Sequence, residues 1–265
     1  MPPNTHETVL AERRGPVLLL TLNRPERLNA WNDELEERYF ALLDDAEADP
    51  GVRAIVVTGA GRGFCGGADL DALQEVSTAG EVGPVERARP RTFPLTVRKP
   101  MIAAINGAAA GLGLVEALYC DIRFSTPDAK LTTAFARRGL IAEYGIAWLL
   151  PRLVGTSRAL DLLLSGRIVK GEEAWALGLV DRVVEPDALL DAAVGYATEL
   201  AAYCSPTSMS VIKRQVMRAL DTDFATAVTE ADDLMVASFN QPDAAEGVTS
   251  YLEKRPPEFR PLDPR

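Results

Sequence analysis

Short runs of apolar residues, many of them β-branched, recur along the chain up to about Pro186. They occupy the segments Val17–Leu22, Val52–Thr58, Met101–Ile105, Ile122–Ser125 and Leu179–Val184. Short apolar runs bounded by turn-forming residues are typical of β-strands, and most of the segments between them have the spacing of amphipathic helices. The pattern therefore predicts an α/β fold.

A helix is predicted after the first of these strands. Its apolar positions fall on one face and are Leu35, Tyr39, Leu42, Leu43 and Ala46. Asp33, with Glu36 in the next turn, has the form of a capping box, in which two side chains bond free backbone amides at a helix start. The sequence Asp49-Pro50-Gly51 is expected to end the helix.

The strand pattern stops after Pro186, and the rest of the chain predicts only helices. Their expected bounds are Asp187–Tyr203, Pro206–Leu220, Asp223–Phe239 and Asp243–Lys254. Ser205 followed by a proline is typical of a helix start. We therefore expect a core domain over residues 1–200 and a helical subdomain over residues 201–265.

Composition limits the partners of this chain. Its 265 residues carry a formal net charge of −10, which would repel the phosphates of a nucleic acid. The sequence shows no signal peptide and no apolar segment long enough to span a bilayer. We therefore expect a cytoplasmic protein with no nucleic-acid or membrane partner.

Few residues are available for nucleophilic or metal chemistry. The single histidine, His6, lies in a polar N-terminal stretch, which argues against a Ser-His-Asp or Cys-His arrangement. Cys65, Cys120 and Cys204 are too far apart for zinc-ligand spacing and odd in number for a disulfide framework. We expect no metal, and proton transfer by a carboxylate, lysine, tyrosine or cysteine.

Two glycine-rich turns are the strongest chemical signal in the sequence. One is GAGRGFCGGADL, from Gly59 to Leu70, and the other is the Gly/Ala turn between the strand Met101–Ile105 and a helix that ends near Asp121. Without bulky side chains, backbone N–H groups at such turns can approach a negatively charged oxygen. Together they predict an oxyanion hole, a pair of N–H donors that stabilise charge on one oxygen.

The first turn also contains the pattern G-x-G-x-x-G, from Gly61 to Gly66, which occurs in dinucleotide-binding sites. Such a site needs a second strand that leads to an acidic residue about 20 residues further on. Glu86 stands at that distance, but no strand is predicted before it. We therefore favour an oxyanion hole over NAD binding.

These motifs resemble the crotonase (enoyl-CoA hydratase/isomerase) superfamily along nearly the whole chain, and its enoyl-CoA delta-isomerase branch most closely. The matching segments are LNRPERLNAW, GRGFCGGADL, the block Pro100–Asp121, ARRGLIAEYGIAWLLPRLVG, GEEAWALGLVDRVV and SYLEKRPPEF. The resemblance implies a crotonase-like spiral of ββα units, with the helices of residues 201–265 forming a homotrimer or a dimer of trimers. It also implies coenzyme A thioester substrates and no prosthetic group.

The resemblance assigns candidate catalytic groups by their position in the motifs. The oxyanion donors would be the backbone N–H groups of Gly66 and Leu112. The two glutamates of family hydratases fall on Val115 and Phe135, which are apolar. Glu143 stands where the isomerase branch has its single catalytic glutamate. We therefore expect a double-bond shift from the β,γ to the α,β position through an enolate, in fatty-acid or related acyl-CoA metabolism.

Other functions stay open at this point. They are enoyl-CoA hydration, hydrolase or lyase chemistry within the same superfamily, and acyl-CoA binding without catalysis. Glu116 follows Val115, but a helix turns successive side chains by about 100°, so we expect Glu116 to face a neighbouring element or to pair with an arginine. A shift of one residue at the turn would instead place it beside Glu143 and restore a site with two carboxylates.

The resemblance also implies a path for CoA. Its expected residues are Arg24, Glu26, Arg27, Leu28, Ala30, Gly67, Ala68, Asp69, Lys254, Arg255 and Phe259. The last three resemble residues that often reach CoA from an adjacent subunit. Arg62 joins Arg24 and Arg27 as a candidate partner for phosphate. Ser77–Arg91 mixes glycine, proline and charge, and is expected to be a mobile loop or a poorly packed helix.

Overall fold

A computed structural model of the chain describes residues 7–69, 71, 74, 78 and 87–263. Its strands are β1 (Val9–Arg14), β2 (Val17–Leu22), β3 (Ala54–Gly59), β4 (Gly63–Cys65), β5 (Met101–Ile105), β6 (Ala108–Ala110), β7 (Ile122–Ser125), β8 (Lys130–Thr132), β9 (Val169–Lys170) and β10 (Arg182–Val183). The described α-helices are α1 (Asp33–Ala48), α2 (Leu112–Tyr119), α3 (Ile146–Val154), α4 (Thr156–Ser165), α5 (Gly171–Leu177), α6 (Leu189–Tyr203), α7 (Pro206–Ala219), α8 (Phe224–Phe239) and α9 (Pro242–Glu253). Most of the segment Ser77–Arg91 lies outside the described residues.

The strands form two sheets. A six-stranded sheet has the order β1-β2-β3-β5-β7-β10, in which β1 and β2 are antiparallel and all later neighbours are parallel. A four-stranded sheet has the order β4-β6-β8-β9, with only β9 antiparallel to its neighbour. From β3 to β8, consecutive strands alternate between the two sheets. The chain therefore advances as a spiral of two-strand units, and the predicted α/β class is confirmed.

Five strands were not predicted by the sequence pattern, namely β1, β4, β6, β8 and β9, and two of them lie in the glycine-rich turns. Gly63–Cys65 and Ala108–Ala110 fall in segments that we expected to be turns, but they form β4 and β6 and pair in parallel. They contain no β-branched residue, the type that signals a strand most strongly, so long-range pairing determines their conformation. Because a strand rather than a helix begins at Gly63, the G-x-G-x-x-G segment does not have the turn-to-helix structure of a dinucleotide site.

Helix α1 packs on one face of the six-stranded sheet through its predicted apolar face, which is fully buried. The helix start differs from the prediction. Asn32 is the N-cap, and its Oδ1 accepts a hydrogen bond from the N–H of Leu35 at 3.0 Å. The capping box expected at Asp33 is therefore wrong, because Glu36 turns into the protein and accepts a hydrogen bond from the indole N–H of Trp31 at 2.8 Å.

Helix α6 packs on the opposite face of the same sheet. Successive residues of β3 illustrate the two faces, since Ile55 packs with the α1 side and Val56 with the α6 side. Ala193 and Ala197 of α6 are completely buried there. Residue 200, the expected end of the core domain, lies inside this helix, which ends at Tyr203. The division into two domains stays a prediction.

Helices α7, α8 and α9 bury few side chains within the chain. Their buried residues are Pro206 and Ser250. Apolar side chains on these helices are exposed, among them Ile212, Val216, Phe224, Met235, Val236 and Phe239. An apolar surface of this extent is typical of a protein–protein contact. In the part of the chain that the structure describes, no helix combines the length and apolarity needed to cross a bilayer.

Candidate active site

The two glycine-rich turns lie against each other. A Cβ atom added to Gly113, in the first turn of α2, would lie 2.2 Å from the carbonyl oxygen of Cys65 in β4. A Cβ atom added to Gly107 would lie 2.2 Å from the carbonyl oxygen of Arg62. A side chain at either position would collide with backbone, so the two glycines allow the turns to meet.

Two asparagines hold the first turn in place. The Nδ2 of Asn29 donates to the carbonyl oxygen of Ala60 at 3.0 Å and to that of Gly63 at 2.9 Å. The Nδ2 of Asn106 donates to the carbonyl oxygen of Gly59 at 2.9 Å. Asn29 is completely buried and has a φ of 56°, a left-handed conformation that asparagine adopts more readily than most residues. Asn29 was not predicted as a functional residue, and its position within the segment LNRPERLNAW was the signal that could have suggested a role.

The N–H of Gly66 is not available to a ligand. It donates to the carbonyl oxygen of Leu28 at 2.8 Å. This bond joins the glycine-rich turn to the left-handed segment at Leu28 and leaves Gly66 with no hydrogen for an oxyanion. The prediction that Gly66 is an oxyanion donor is therefore corrected.

Ala68 has the N–H that this turn can offer to a ligand. Ala68 and Trp31 form an isolated parallel bridge. The hydrogen bonds of this bridge are made by the two neighbours of Ala68. The N–H of Trp31 donates to the carbonyl oxygen of Gly67 at 2.7 Å, and the N–H of Asp69 donates to the carbonyl oxygen of Trp31 at 2.9 Å. No described residue accepts a hydrogen bond from the N–H of Ala68. Ala68, which was predicted to lie on the CoA path, is therefore the candidate oxyanion donor of this turn.

Leu112 is the first residue of α2, after Gly111 as the N-cap. The first N–H groups of a helix have no acceptor inside the helix, and no other described residue accepts from Leu112. A Cβ atom added to Gly67 would lie 3.8 Å from the nitrogen of Leu112. The amide of Leu112 therefore lies next to the peptide that joins Gly67 to Ala68, at the positive end of the α2 dipole.

Glu143 is half-buried in the segment that precedes α3. The backbone after it is unusual, because Tyr144 and Gly145 are both left-handed, with φ values of 55° and 76°. The N–H of Ile146 donates to the carbonyl oxygen of Glu143 at 3.1 Å. The hydroxyl of Tyr119, at the end of α2, donates to the carbonyl oxygen of Tyr144 at 2.6 Å. The bond from Tyr119 attaches the Glu143 segment to the helix that presents the Leu112 amide.

The two positions to which the resemblance assigns the hydratase glutamates are apolar and buried. Val115 is completely inaccessible, and Phe135 is 5% exposed. A ring atom of Phe135 lies 3.9 Å from the place where a Cβ atom on Gly111 would be, so this ring adjoins the start of α2. Among the described residues, no cluster of three or more histidine, cysteine or acidic side chains could hold a metal ion.

Glu116 points into the protein interior. It is 3% exposed, and within the described residues neither carboxylate oxygen has a hydrogen-bond partner. Burial raises the pKa of Glu116 well above its ordinary value, and the charge of Glu36 adds to this rise while Arg91 opposes it. The expected ion pair with an arginine is therefore absent from the described part of the chain. The charges that act on Glu116 are those of Glu36 and Arg91 rather than that of Glu143, which gives no support to a second carboxylate beside Glu143.

Replacing Glu116 with glutamine is expected to stabilise the protein at alkaline pH. The folded state holds the Glu116 proton more tightly than the unfolded chain does. The contribution of this group to the stability of the fold is therefore greatest below the ordinary glutamate pKa of 4.5, and it falls as the pH rises. A neutral amide has no such loss. We expect the free energy of unfolding to exceed that of the wild type by about 1–3 kcal/mol at about pH 8, the usual scale for an unpaired buried polar group.

Urea unfolding at a series of pH values measures this difference in the free energy of unfolding. The difference should disappear below the ordinary glutamate pKa. The matched control is Glu37→Gln, on the exposed side of α1, whose stability should follow that of the wild type. A difference for Glu116→Gln that is equal at every pH would contradict the explanation by protonation.

The predicted CoA residues near the first turn are divided between internal and surface contacts. Arg24 forms an ion pair with Asp69 at 2.9 Å, and both side chains are largely buried, so Arg24 holds the turn rather than facing solvent. Arg27 forms an exposed ion pair with Asp71 at 3.2 Å, and Arg62 is exposed beside the turn. The other expected residues of this region are exposed or half-buried around the short helix Pro25–Arg27, namely Glu26, Leu28 and Ala30.

Lys254, Arg255 and Phe259 are not brought to the turns within one chain. The carbonyl oxygen of Phe259 accepts a hydrogen bond from Arg53 at 2.7 Å. Arg53 immediately precedes β3, whereas the first turn follows the other end of this six-residue strand, about 20 Å away. Lys254 is exposed, and Arg255 forms an ion pair with Glu246 at 2.6 Å.

The enoyl-CoA hydratase/isomerase family model matches residues 12–261. The chain belongs to the enoyl-CoA hydratase/isomerase family. It is 37% identical over 260 residues to the 1,2-epoxyphenylacetyl-CoA isomerase of Escherichia coli (strain K12), covering 96% of this chain and 98% of that protein. An enoyl-CoA hydratase structure from Polaromonas sp. JS666 has a TM-score of 0.89 at 30% identity, covering 95% of this chain and 99% of that chain. An enoyl-CoA hydratase structure from Mycobacterium marinum has a TM-score of 0.69 at 51% identity, covering 80% of this chain and 97% of that chain.

These similarities confirm the predicted superfamily and the crotonase fold with its C-terminal helical region. Enzymes of this family act on CoA thioesters without a prosthetic group. The names of the relatives include both an isomerase and hydratases. The choice between the two reactions therefore has to come from the residues of the site.

Proposed function

We propose that this enzyme moves a carbon–carbon double bond of an acyl-CoA from the β,γ to the α,β position. The observation that supports this most strongly is the distribution of carboxylates. Glu143 is half-buried beside α2, whereas Val115 and Phe135 are apolar where hydratases have glutamates. Isomerisation needs one group that removes and returns a proton, while hydration also needs a group that holds water.

The proposed reaction begins with the thioester oxygen bonded to the N–H groups of Ala68 and Leu112. The carboxylate of Glu143 removes a proton from the carbon next to the carbonyl, and the electrons of that bond move to the oxygen to form an enolate. The two amides stabilise this charge, each donor by about 3–4 kcal/mol. Glu143 then returns the proton to the γ carbon, which leaves the double bond conjugated with the carbonyl and no atom gained or lost.

The CoA part of the substrate would lie along the first turn and the segment Leu28–Ala30. Arg27 and Arg62 supply positive charge at the surface there, where phosphates would bind. Lys254 and Phe259 could reach this path only from a neighbouring chain, which is part of the proposal of a homotrimer or dimer of trimers. The exposed apolar side chains of α7–α9 supply the surface for such contacts.

The test is to incubate the purified protein separately with 3-enoyl-CoA and 2-enoyl-CoA and to follow the absorbance of the conjugated thioester. An isomerase increases the absorbance with the first substrate and leaves the second unchanged. Loss of conjugation from 2-enoyl-CoA would identify a hydratase, the second candidate, which is favoured by the 51% identity to a protein of that name. Saturable binding without either change would identify a non-catalytic acyl-CoA binder.

A further inference from the structure

A series of hydrogen bonds connects Trp31 to Tyr144 through two charged side chains. The indole N–H of Trp31 donates to Oε2 of Glu36 at 2.8 Å, and Nε of Arg91 donates to the same oxygen at 2.8 Å. The Nη1 of Arg91 then donates to the hydroxyl of Tyr144 at 2.5 Å. We call these four side chains the Glu36 relay.

The two ends of the Glu36 relay are the two parts of the proposed active site. At one end, the backbone of Trp31 bonds both residues that flank Ala68, the proposed oxyanion donor. At the other end, Tyr144 is adjacent in the chain to Glu143, the proposed base. The carboxylate of Glu36 therefore links the group that would hold the enolate oxygen to the group that would move the proton.

The relay is well shielded from water. The side chains of Glu36 and Arg91 are 7% and 12% exposed. Hydrogen bonds between charged groups are stronger in such surroundings than in solvent. The guanidinium of Arg91 also lies 4.8 Å from the ring centre of Tyr144, a favourable cation–π distance.

Tyr144 needs such contacts because of its backbone. A φ of 55° is unfavourable for a residue with a bulky side chain, and it persists only where surrounding contacts impose it. Arg91 holds the hydroxyl of Tyr144, and Tyr119 holds its carbonyl oxygen. Loss of the Arg91 contact would leave the backbone beside Glu143 with fewer constraints.

We propose that Arg91 is a positioning residue for Glu143, acting through Tyr144, and that Glu36 fixes Arg91 in place. This inference rests on the proposed function, in which one carboxylate serves both the α and the γ carbon of the substrate. Such a carboxylate has to stay within reach of two atoms, and a displacement of about 1 Å lowers rates about 100-fold in other enzymes.

Arg87 provides a matched control. Its Nη1 lies 2.7 Å from the other oxygen of Glu36, so both arginines pair with the same carboxylate. Arg87 makes no hydrogen bond to Tyr144 among the described residues. Replacing Arg87 removes one partner of Glu36 and leaves the Glu36 relay intact.

The experiment compares Arg91→Met, Arg87→Met and Tyr144→Phe in the isomerisation assay. We expect Arg91→Met to lower kcat about 10- to 100-fold with little change in KM, because ground-state binding of CoA does not involve this contact. Tyr144→Phe, a milder change that keeps the ring, should lower kcat in the same way. The double variant should be no slower than Arg91→Met alone, since both changes remove one contact. Arg87→Met should keep the wild-type kcat.

Hydrogen–deuterium exchange of the peptide over residues 141–148 gives a readout that does not depend on turnover. We expect faster exchange in Arg91→Met and Tyr144→Phe, but not in Arg87→Met. Equal kcat values for Arg91→Met and Arg87→Met, or unchanged exchange in the first, would overturn the inference. Isomerase activity that survives Glu143→Gln would instead refute the proposed function itself, whatever the exchange rates show.

Discussion

Replacing Glu143 with glutamine is expected to lower the kcat for isomerisation about 100- to 10,000-fold, the range that a general acid–base group contributes. Glutamine keeps the size and the polarity of the side chain but cannot accept a proton from the carbon next to the carbonyl. KM for 3-enoyl-CoA should change little, because the N–H groups of Ala68 and Leu112 and the CoA contacts remain.

Formation of the conjugated product from 3-enoyl-CoA measures this effect. The control is Glu116→Gln, which makes the same chemical change at a fully buried glutamate and should keep the wild-type kcat. If Glu116→Gln lost activity as well, a site with two carboxylates would be indicated. If Glu143→Gln stayed as active as the wild type, another group would have to move the proton.

The fold could be predicted where local periodicity determines structure. The apolar face of α1 is visible as a regular spacing and β3 as a continuous run of apolar residues, and both predictions are confirmed. Strands β4 and β6 were missed because Gly63–Cys65 and Ala108–Ala110 carry little strand propensity of their own. Their partners lie far away in the sequence, and that pairing makes them strands.

The residues of the candidate site also fall into two groups, those that the sequence motifs indicate and those that only the folded chain identifies. The resemblance to the family assigned Leu112, Val115 and Phe135, because the motifs that carry it are continuous in the sequence. Spacing alone could not show which backbone N–H of the first turn is free. That depends on two contacts of the folded chain: the N–H of Gly66 donates to the carbonyl oxygen of Leu28, and Trp31 bonds the residues on either side of Ala68.

Arg91 illustrates the limit of sequence-based prediction most clearly. Its two partners, Glu36 and Tyr144, are 55 and 53 residues away in the chain. It lies in a segment whose mixed composition predicts only a loop or a poorly packed helix. An ion pair over such a separation leaves no periodic signal, so only the folded arrangement could identify the Glu36 relay.

Replacing Leu112 with proline is expected to lower kcat about 100- to 1,000-fold, the usual effect of removing one oxyanion donor. Leu112 is the first residue of α2, where the fixed φ of proline suits a helix and the N–H has no helical acceptor. The substitution therefore removes the proposed donor without removing a hydrogen bond of the helix. This is a direct test of a main-chain group, which side-chain substitutions normally leave unchanged.

The matched control for this variant is Leu112→Ala. The Leu112 side chain is 2% exposed, so both variants lose its packing, and the alanine variant is expected to lose about 2–5 kcal/mol of stability. Only the proline variant also loses the N–H. We expect kcat to be far lower in Leu112→Pro than in Leu112→Ala, because negative charge on the oxygen is greatest in the transition state. The proline ring also places Cδ where the amide hydrogen was, so KM is expected to rise as well. Equal kcat values would refute the role of this amide, since the lost side chain would then account for the whole effect.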